Sequence, residues 1–182
     1  WLKDFDQIPV NSQVALQASF PNPHQITIPY STGEDAEGAR HYLTLNWLLP
    51  ENNDPEINLA LSILAHILIG TPAAPLRKAL IDSGLGEDLT GRGLSTELRQ
   101  MYFSTGLKGV HAQETSKVEK LILDTLQELA HAGIDPETIA ASLNTVEFRL
   151  RENNTGSFPR GLVLMLRALT TWLYDADPLS ML

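Results

Sequence analysis

The sequence predicts an α+β domain of two layers, in which helices pack on one face of a mostly antiparallel sheet. Segments that alternate apolar and polar residues occur in pairs, which favours hairpins over the crossovers of a doubly wound parallel sheet. Three segments with helical periodicity follow them toward the carboxyl end. The chain has 182 residues, of which 43% are apolar, and this is enough to bury one core.

The first pair of strands is predicted at residues 25–30 and 41–49. In the first segment alternate residues are apolar, and Pro29 indicates an edge position because proline has no backbone N–H to donate. In the second segment one face is apolar and consists of Leu43, Leu45, Trp47 and Leu49. Residues 1–24 have weak periodicity broken by three prolines. We therefore interpret residues 1–24 as an incoming linker and residues 25–182 as the domain.

Two Asp-Pro-Glu triplets, at residues 54–56 and 135–137, predict where helices begin. The aspartate can cap the helix, the proline fits its first turn, and the glutamate lies near the positive end of the helix dipole. Glycines predict helix ends at Gly70, Gly84 and Gly133. The predicted helices accordingly begin after Asp54, near Thr71, at Glu114, after Asp135 and near residues 157–159.

A second pair of strands is predicted at residues 87–96 and 100–110. The second member alternates Met101, Phe103, Thr105 and Leu107 on one face. Gly106 and Gly109 interrupt its pattern and predict bends or bulges.

The charge and composition of the chain limit its partners. Thirteen basic and 22 acidic residues give a net charge of −9, which repels nucleic acid and anionic lipid surfaces. The longest apolar run, residues 57–69, is shorter than the roughly 20 residues that a membrane-spanning helix needs. The chain has no cysteine and no secretory signal pattern, and both ends resemble cuts from a longer chain. The bacterial cytoplasm, or an organelle matrix in a eukaryote, fits this composition best.

The sequence contains no pattern of a self-contained active site. None of the five histidines lies in an H-E-x-x-H or H-x-x-E-H motif, the spacings that place two zinc ligands one turn apart on a helix. The glycine pairs at residues 84–86 and 91–93 are interpreted as turns or bulges, since they follow a helix and not a strand. Asp124 and Glu128 are interpreted as charges on a solvated helix face that also carries lysines.

A narrow polar stripe runs along the first predicted helix. Asn58, Ser62 and His66 recur at intervals of four residues on an otherwise apolar segment. Such a stripe can line a cavity, but a half-buried strip that packs on a loop with its polar groups hydrogen-bonded is the favoured interpretation.

Three segments of the sequence carry a family resemblance. They are GTPAAPLR at residues 70–77 with DSGLG at 82–86, GLKGV at 106–110, and RENNTGSFPRGL at 151–162. Together they resemble the presequence-protease branch of the insulinase/pitrilysin zinc metallopeptidases, over residues 25–182. The resemblance implies a metallopeptidase-repeat fold and the second, non-catalytic domain of a longer parent protein. In that family four related domains enclose a chamber in which unfolded peptides are cut.

The same resemblance implies that the catalytic groups lie elsewhere. The zinc ligands of the family belong to an inverted H-x-x-E-H motif in the first domain, and a substrate-polarising arginine and tyrosine belong to the last. None of these has a matching position here, so no catalytic residue, metal ligand or cofactor is expected in this chain, and zinc is expected in the first domain of the parent. The isolated chain is expected to be inactive.

From the resemblance we expect a structural domain in the chamber wall of a zinc-dependent, ATP-independent metalloendopeptidase. Its expected partners are the other domains of the same parent chain and unfolded peptides, without nucleic acid or a membrane. Asn153, Asn154 and Arg160, at a polar break between helices, are candidates for a chamber-facing surface, although capping of the loop is the simpler explanation.

Two alternative functions remain open on the sequence. One is an inactive peptide-binding or assembly module with the same fold that is not part of an active peptidase chain. The other is an unrelated small-molecule enzyme, which would require a polar pocket containing groups with strongly perturbed pKa values.

Overall fold

The computed structural model of the chain describes residues 4, 6, 8–11, 13–31, 41–152, 155–174, 176–180 and 182. The described part contains a three-stranded antiparallel sheet in the order β1-β3-β2, formed by β1 His41–Glu51, β2 Asp88–Ser95 and β3 Gln100–Val110. The α-helices are α1 Pro55–Ile69, α2 Pro75–Asp82, α3 Thr115–Ala132, α4 Pro136–Glu152 and α5 Arg160–Trp172. A 3-10 turn, Ala112–Glu114, leads into α3. The predicted α+β class with an antiparallel sheet is confirmed.

The sheet is buried on one face, as the alternation in β1 predicts. Along β1, partly buried residues alternate with exposed residues. Trp47 packs beside Phe103 of β3, with ring centroids 5.8 Å apart, and both contact the core. On the opposite face Tyr42 is 57% exposed. A sheet with one face exposed to solvent and one face buried is typical of a two-layer domain.

The helical layer packs on the buried face of the sheet. Helices α1 and α2 contact β2, and α3 contacts both β1 and β3. The centre of the core is formed by side chains from α1, α2, β3 and α3, namely Leu68, Leu76, Leu80, Leu107, Val110, Val118 and Ile122. Burial of these apolar side chains is the main favourable contribution to folding, at about 1.5–3 kcal/mol for each of the larger ones.

The predicted helix starts are confirmed by their capping hydrogen bonds. The Asp54 carboxylate accepts hydrogen bonds from the backbone N–H groups of Glu56 and Ile57, at 2.9 and 3.2 Å. The Asp135 carboxylate accepts from the N–H and the hydroxyl of Thr138, each at 3.0 Å. The three backbone N–H groups among these donors are ones that the first turn of a helix leaves free.

The two glycines of β3 that interrupt its pattern have different roles. Gly109 has a φ of 73° and lies where the register against β1 shifts, so the predicted bulge is confirmed there. Gly106 is wrongly predicted as a bend, because it pairs in register with Thr44 of β1 and Thr90 of β2. A Cβ at Gly106 would lie 1.8 Å from the Leu43 carbonyl oxygen. Glycine is therefore needed at this position for close approach of two strands.

The predicted strand at residues 25–30 is wrong. These residues belong to no strand or helix, and Ile26 and Ile28 are 68% and 76% exposed. An alternating segment forms a strand only where a neighbouring backbone pairs with it through a ladder of hydrogen bonds. Among the described strands, none forms such a ladder with residues 25–30. The first predicted hairpin is therefore not formed, although the Tyr30 ring meets the Tyr42 ring edge-on at 5.3 Å.

The last two helices lie at the periphery. Helix α4 packs against α1 and makes no comparably extensive contact with another described element. Helix α5 is anchored near its carboxyl end, where Thr171 is fully buried. Within the described residues, no helix has the length and apolar character needed to cross a bilayer.

Candidate functional site

The histidines and acidic residues do not assemble a metal site in the part of the chain that the structure describes. No group of three or more histidine, aspartate or glutamate side chains there is close enough to hold a metal ion. The described residues therefore do not fit the zinc that the family resemblance implies for the parent protein. No catalytic step through a metal is assigned to this chain.

The polar stripe of α1 is largely a hydrogen-bonded strip, as the favoured interpretation predicts. The Asn58 amide donates to the Asn52 carbonyl at 2.8 Å, and the Ser62 hydroxyl donates to the Asn58 carbonyl at 2.7 Å. The stripe thus fastens the start of α1 to the turn that follows β1.

His66, the last member of the stripe, differs from the other two. Its side chain is buried, and neither ring nitrogen has a hydrogen-bond partner in the described part of the chain. Burial, and secondarily the charge of Arg149 on α4, lower the pKa of the His66 imidazole. His66 therefore favours the neutral form of its ring, buried on α1, the helix against which α4 packs.

Asn52 is a junction that sequence reasoning missed. It is 2% exposed, and its side-chain amide donates to the carbonyls of Thr96 and Thr170, at 3.0 and 3.2 Å. Its backbone N–H donates to the Arg99 carbonyl at 3.0 Å. One residue after β1 thus joins the start of α1, the turn between β2 and β3, and the end of α5. Its only sequence signal is an asparagine in a turn, which is common.

The glycine pairs do not form phosphate-binding loops. Gly84 has a φ of 63° and ends α2. Gly91 and Gly93 have φ values of 93° and 68° and lie at a register shift of β2 against β3. The interpretation of these glycines as turn and bulge residues is confirmed, because left-handed backbone is the reason for glycine at each of the three.

The acidic residues of α3 have ordinary surface surroundings. Asp124 binds the Lys120 ammonium at 2.5 Å, and both side chains are more than half exposed. Glu128 lines a shallow recess of about 450 Å³ between α2 and α3. The same recess contains Lys78, whose pKa is raised by its hydrogen bond to Asp82. An exposed ion pair of this kind explains the shift without an active site, so this recess does not support a small-molecule enzyme.

The three candidates for a chamber-facing surface are only partly described. Asn153 and Asn154 lie outside the described residues. Arg160 is exposed and is the first residue of α5. Between them, Thr155 closes a turn with its hydroxyl donating to the Phe158 carbonyl at 2.8 Å. The structure thus presents the Arg160 guanidinium to solvent beside a tight turn.

An exposed apolar face runs along α5. Its residues recur at helical spacing and are 38–69% exposed; we call Leu162, Met165, Leu166, Trp172 and Leu173 the α5 stripe. The side of α5 turned toward the domain includes the fully buried Thr171. An apolar row of this size on a helix surface is typical of an interaction site.

A three-stranded antiparallel sheet covered on one face by helices defines an α+β domain of two layers. The chain belongs to the family of the peptidase M16 inactive domain, which matches residues 2–146. The resemblance to the presequence-protease branch of the metallopeptidases is confirmed by its relatives.

Three relatives show how much of a longer protein the chain represents. It is 51% identical over 172 residues to presequence protease 1, chloroplastic/mitochondrial, of Arabidopsis thaliana, covering 93% of the chain and 16% of the relative. It is 36% identical over 179 residues to protein HypA of Clostridium perfringens, covering 98% and 18%. It is 32% identical over 184 residues to the mitochondrial presequence protease of Xenopus tropicalis, covering 100% and 18%. The chain thus spans less than a fifth of the length of these curated relatives.

A solved structure shows the same fold. An inactive peptidase domain from Bordetella parapertussis matches with a TM-score of 0.60 at 18% identity, covering 77% of this chain and 79% of that one.

Proposed function

We propose that this domain is a non-catalytic, structural part of a zinc-dependent, ATP-independent metalloendopeptidase that degrades unfolded peptides. The observation that carries the proposal is the match to an inactive peptidase domain by a chain that spans less than a fifth of relatives called presequence proteases. In this proposal residues 1–24 are an incoming linker, residues 25–182 form the second domain, and zinc is bound by the first domain.

The partners proposed for the domain are the other domains of the same parent chain. The α5 stripe supports this proposal, because an exposed apolar row is stabilised when another surface removes it from water, by about 25 cal/mol for each Å² buried. Unfolded peptides are the proposed substrates of the parent. The proposed compartment is the matrix of an organelle or, for a bacterial parent such as a HypA relative, the cytoplasm.

Within the chamber wall, Arg160 is the proposed peptide contact, with Asn153 and Asn154 beside it. Arg160 is exposed at the start of α5, where its guanidinium can donate hydrogen bonds to a peptide carbonyl or carboxylate. The helix dipole does not hold a cation at this end, since the amino terminus of a helix is its positive end. A role in binding gives a reason for an arginine at this position.

The proposal is tested first on the isolated chain. Titration calorimetry with Zn²⁺ should show no stoichiometric tight binding, and unfolded peptides should remain uncut with or without a chelator. Tight zinc binding, or chelator-sensitive cleavage by this chain, would contradict it. The assembly-module alternative is distinguished by the complete gene, because an H-x-x-E-H motif encoded upstream of Trp1 in the same chain supports the peptidase.

The contact at Arg160 is tested in the parent protein. Arg160→Ala should raise the KM for a peptide about fivefold, since an exposed charge-assisted contact contributes about 1 kcal/mol. Arg167→Ala is the matched control, because Arg167 is also exposed and lies two turns further along α5. Equal KM values for the Arg160→Ala variant and the wild type would remove Arg160 from the proposed surface and leave the rest of the proposal standing.

A further inference from the structure

The imidazole of His66 is a buried titratable group that the proposed function does not use. The residue is 9% exposed, and neither Nδ1 nor Nε2 has a hydrogen-bond partner in the described part of the chain. The ring packs closely at the end of α1, where a Cβ on Gly70 would lie 2.6 Å from the His66 Cδ2 atom. A neutral imidazole tolerates this position, whereas an imidazolium would hold a charge without an acceptor.

Among the described residues, no carboxylate acts on His66 to raise the pKa of its imidazole. On α2, Asp82 is bound by Lys78, and on β2, Asp88 is bound by Lys108. On α4, Glu147 is bound by Arg151 at 2.5 Å. The charged group that acts on His66 is the guanidinium of Arg149, also on α4. Protonation of His66 would therefore place two positive charges across the interface between α1 and α4.

Helix α4 is the element that can respond to such a repulsion. It packs on α1 and has no comparably extensive contact with another described element. Among its residues whose placement is described, Ser142 is the buried one. By contrast, α3 buries Val118 and Ile122 in the core. An element with few buried apolar contacts opens at lower free energy than one that is built into the core.

We propose that His66 is a pH-sensitive latch, whose neutral ring lets α4 pack on α1 and whose protonation releases α4 while the sheet and α3 stay folded. The proposal is independent of the peptidase function.

The direction of the pH dependence follows from the ring's environment. Burial and then Arg149 lower the pKa of His66 below its ordinary value of 6.5 when α4 is packed. The packed state is therefore fully stabilised above pH 6.5 and loses stability as the pH falls from 6.5 toward the lowered pKa. Across this window the open fraction of α4 rises by up to tenfold for each pH unit and then levels off, because only one proton is taken up.

The experiment is hydrogen exchange of the 182-residue chain, read by mass spectrometry between pH 7.5 and 5 and corrected for intrinsic exchange rates. Protection of α4 peptides should fall on acidification while protection of α3 and β3 peptides is kept. In His66→Leu, and in the more conservative His66→Asn, the pH dependence of α4 should disappear. His131→Asn is the control, since His131 is exposed on α3 and should leave the pH dependence unchanged.

A second measurement keeps the test decisive if the His66 variants fold poorly. Nuclear magnetic resonance titration of the wild-type chain should show that the His66 ring has a pKa below 6.5, and Arg149→Gln should raise that pKa. Unchanged α4 protection at pH 5, or loss of α3 and α4 protection together, overturns the latch. So does a His66 ring that titrates at or above 6.5.

Discussion

Asn52 offers the sharpest test of how the helical layer is held to the sheet. Replacing it with alanine removes two side-chain hydrogen bonds, to the carbonyls of Thr96 and Thr170, but leaves its backbone bonds in place. Each bond contributes about 0.5–1.5 kcal/mol, and the carbonyls left without a donor add a desolvation penalty. Asn52→Ala should therefore lower the free energy of unfolding by about 2–3 kcal/mol.

The effect is measurable by urea unfolding followed by circular dichroism. A loss of about 2–3 kcal/mol moves the urea midpoint down by about 1 M at an unchanged m-value. Asn53→Ala is the matched control, because Asn53 is exposed on the same turn and should change stability by less than about 0.5 kcal/mol. Equal midpoints for the Asn52→Ala and Asn53→Ala variants would refute the assignment of Asn52 as a junction.

A second substitution separates the amide donor from the volume of the side chain. Asn52→Asp keeps the shape but turns a carboxylate toward two carbonyl oxygens, which raises the pKa of the introduced carboxyl group. A carboxyl group whose pKa is raised by folding stabilises the protein in its protonated form. This variant should therefore regain stability as the pH falls through that pKa, whereas Asn52→Ala should not.

Two glycines give opposite expectations for the same change. Gly106→Ala places a Cβ 1.8 Å from the Leu43 carbonyl oxygen and should destabilise the domain by more than about 3 kcal/mol, visible as loss of folded protein or of its thermal transition. Gly161→Ala, in α5, meets no atom within 4 Å and should stabilise by about 0.4–1 kcal/mol in the same thermal assay. Similar transition temperatures for the two variants would contradict the difference in packing.

Local chemistry explains which parts of the fold could be predicted from the sequence. The alternation in β1 and the capping by Asp54 and Asp135 involve residues only a few positions apart in the chain. A short stretch of sequence is therefore enough to predict them. The same holds for Gly84 and Gly133, whose positive φ ends a helix. The family resemblance then supplied the class of protein, which periodicity alone does not define.

Long-range contacts explain what was missed. Asn52 bonds to residues 44 and 118 positions further along the chain, and no local pattern marks such partners. Gly106 is required by the approach of β1, which a single strand's sequence does not reveal. Residues 25–30 have the alternation of a strand, but a ladder also needs a second backbone. His66 was recognised in a polar stripe, while its unpartnered ring became evident only from packing.

The order of the sheet has a consequence for synthesis of the protein on the ribosome. β1 pairs only with β3 among the described strands, and β3 begins at Gln100, 49 positions after Glu51 ends β1. At a translation rate of about 5–20 residues per second, synthesis of β3 begins ~2–10 s after β1 is complete. During that interval neither its pairing strand β3 nor α3, the helix that contacts β1, has been made. Nascent chains arrested between the two strands should therefore bind a chaperone that recognises apolar strands, and chains arrested well after Val110 should not.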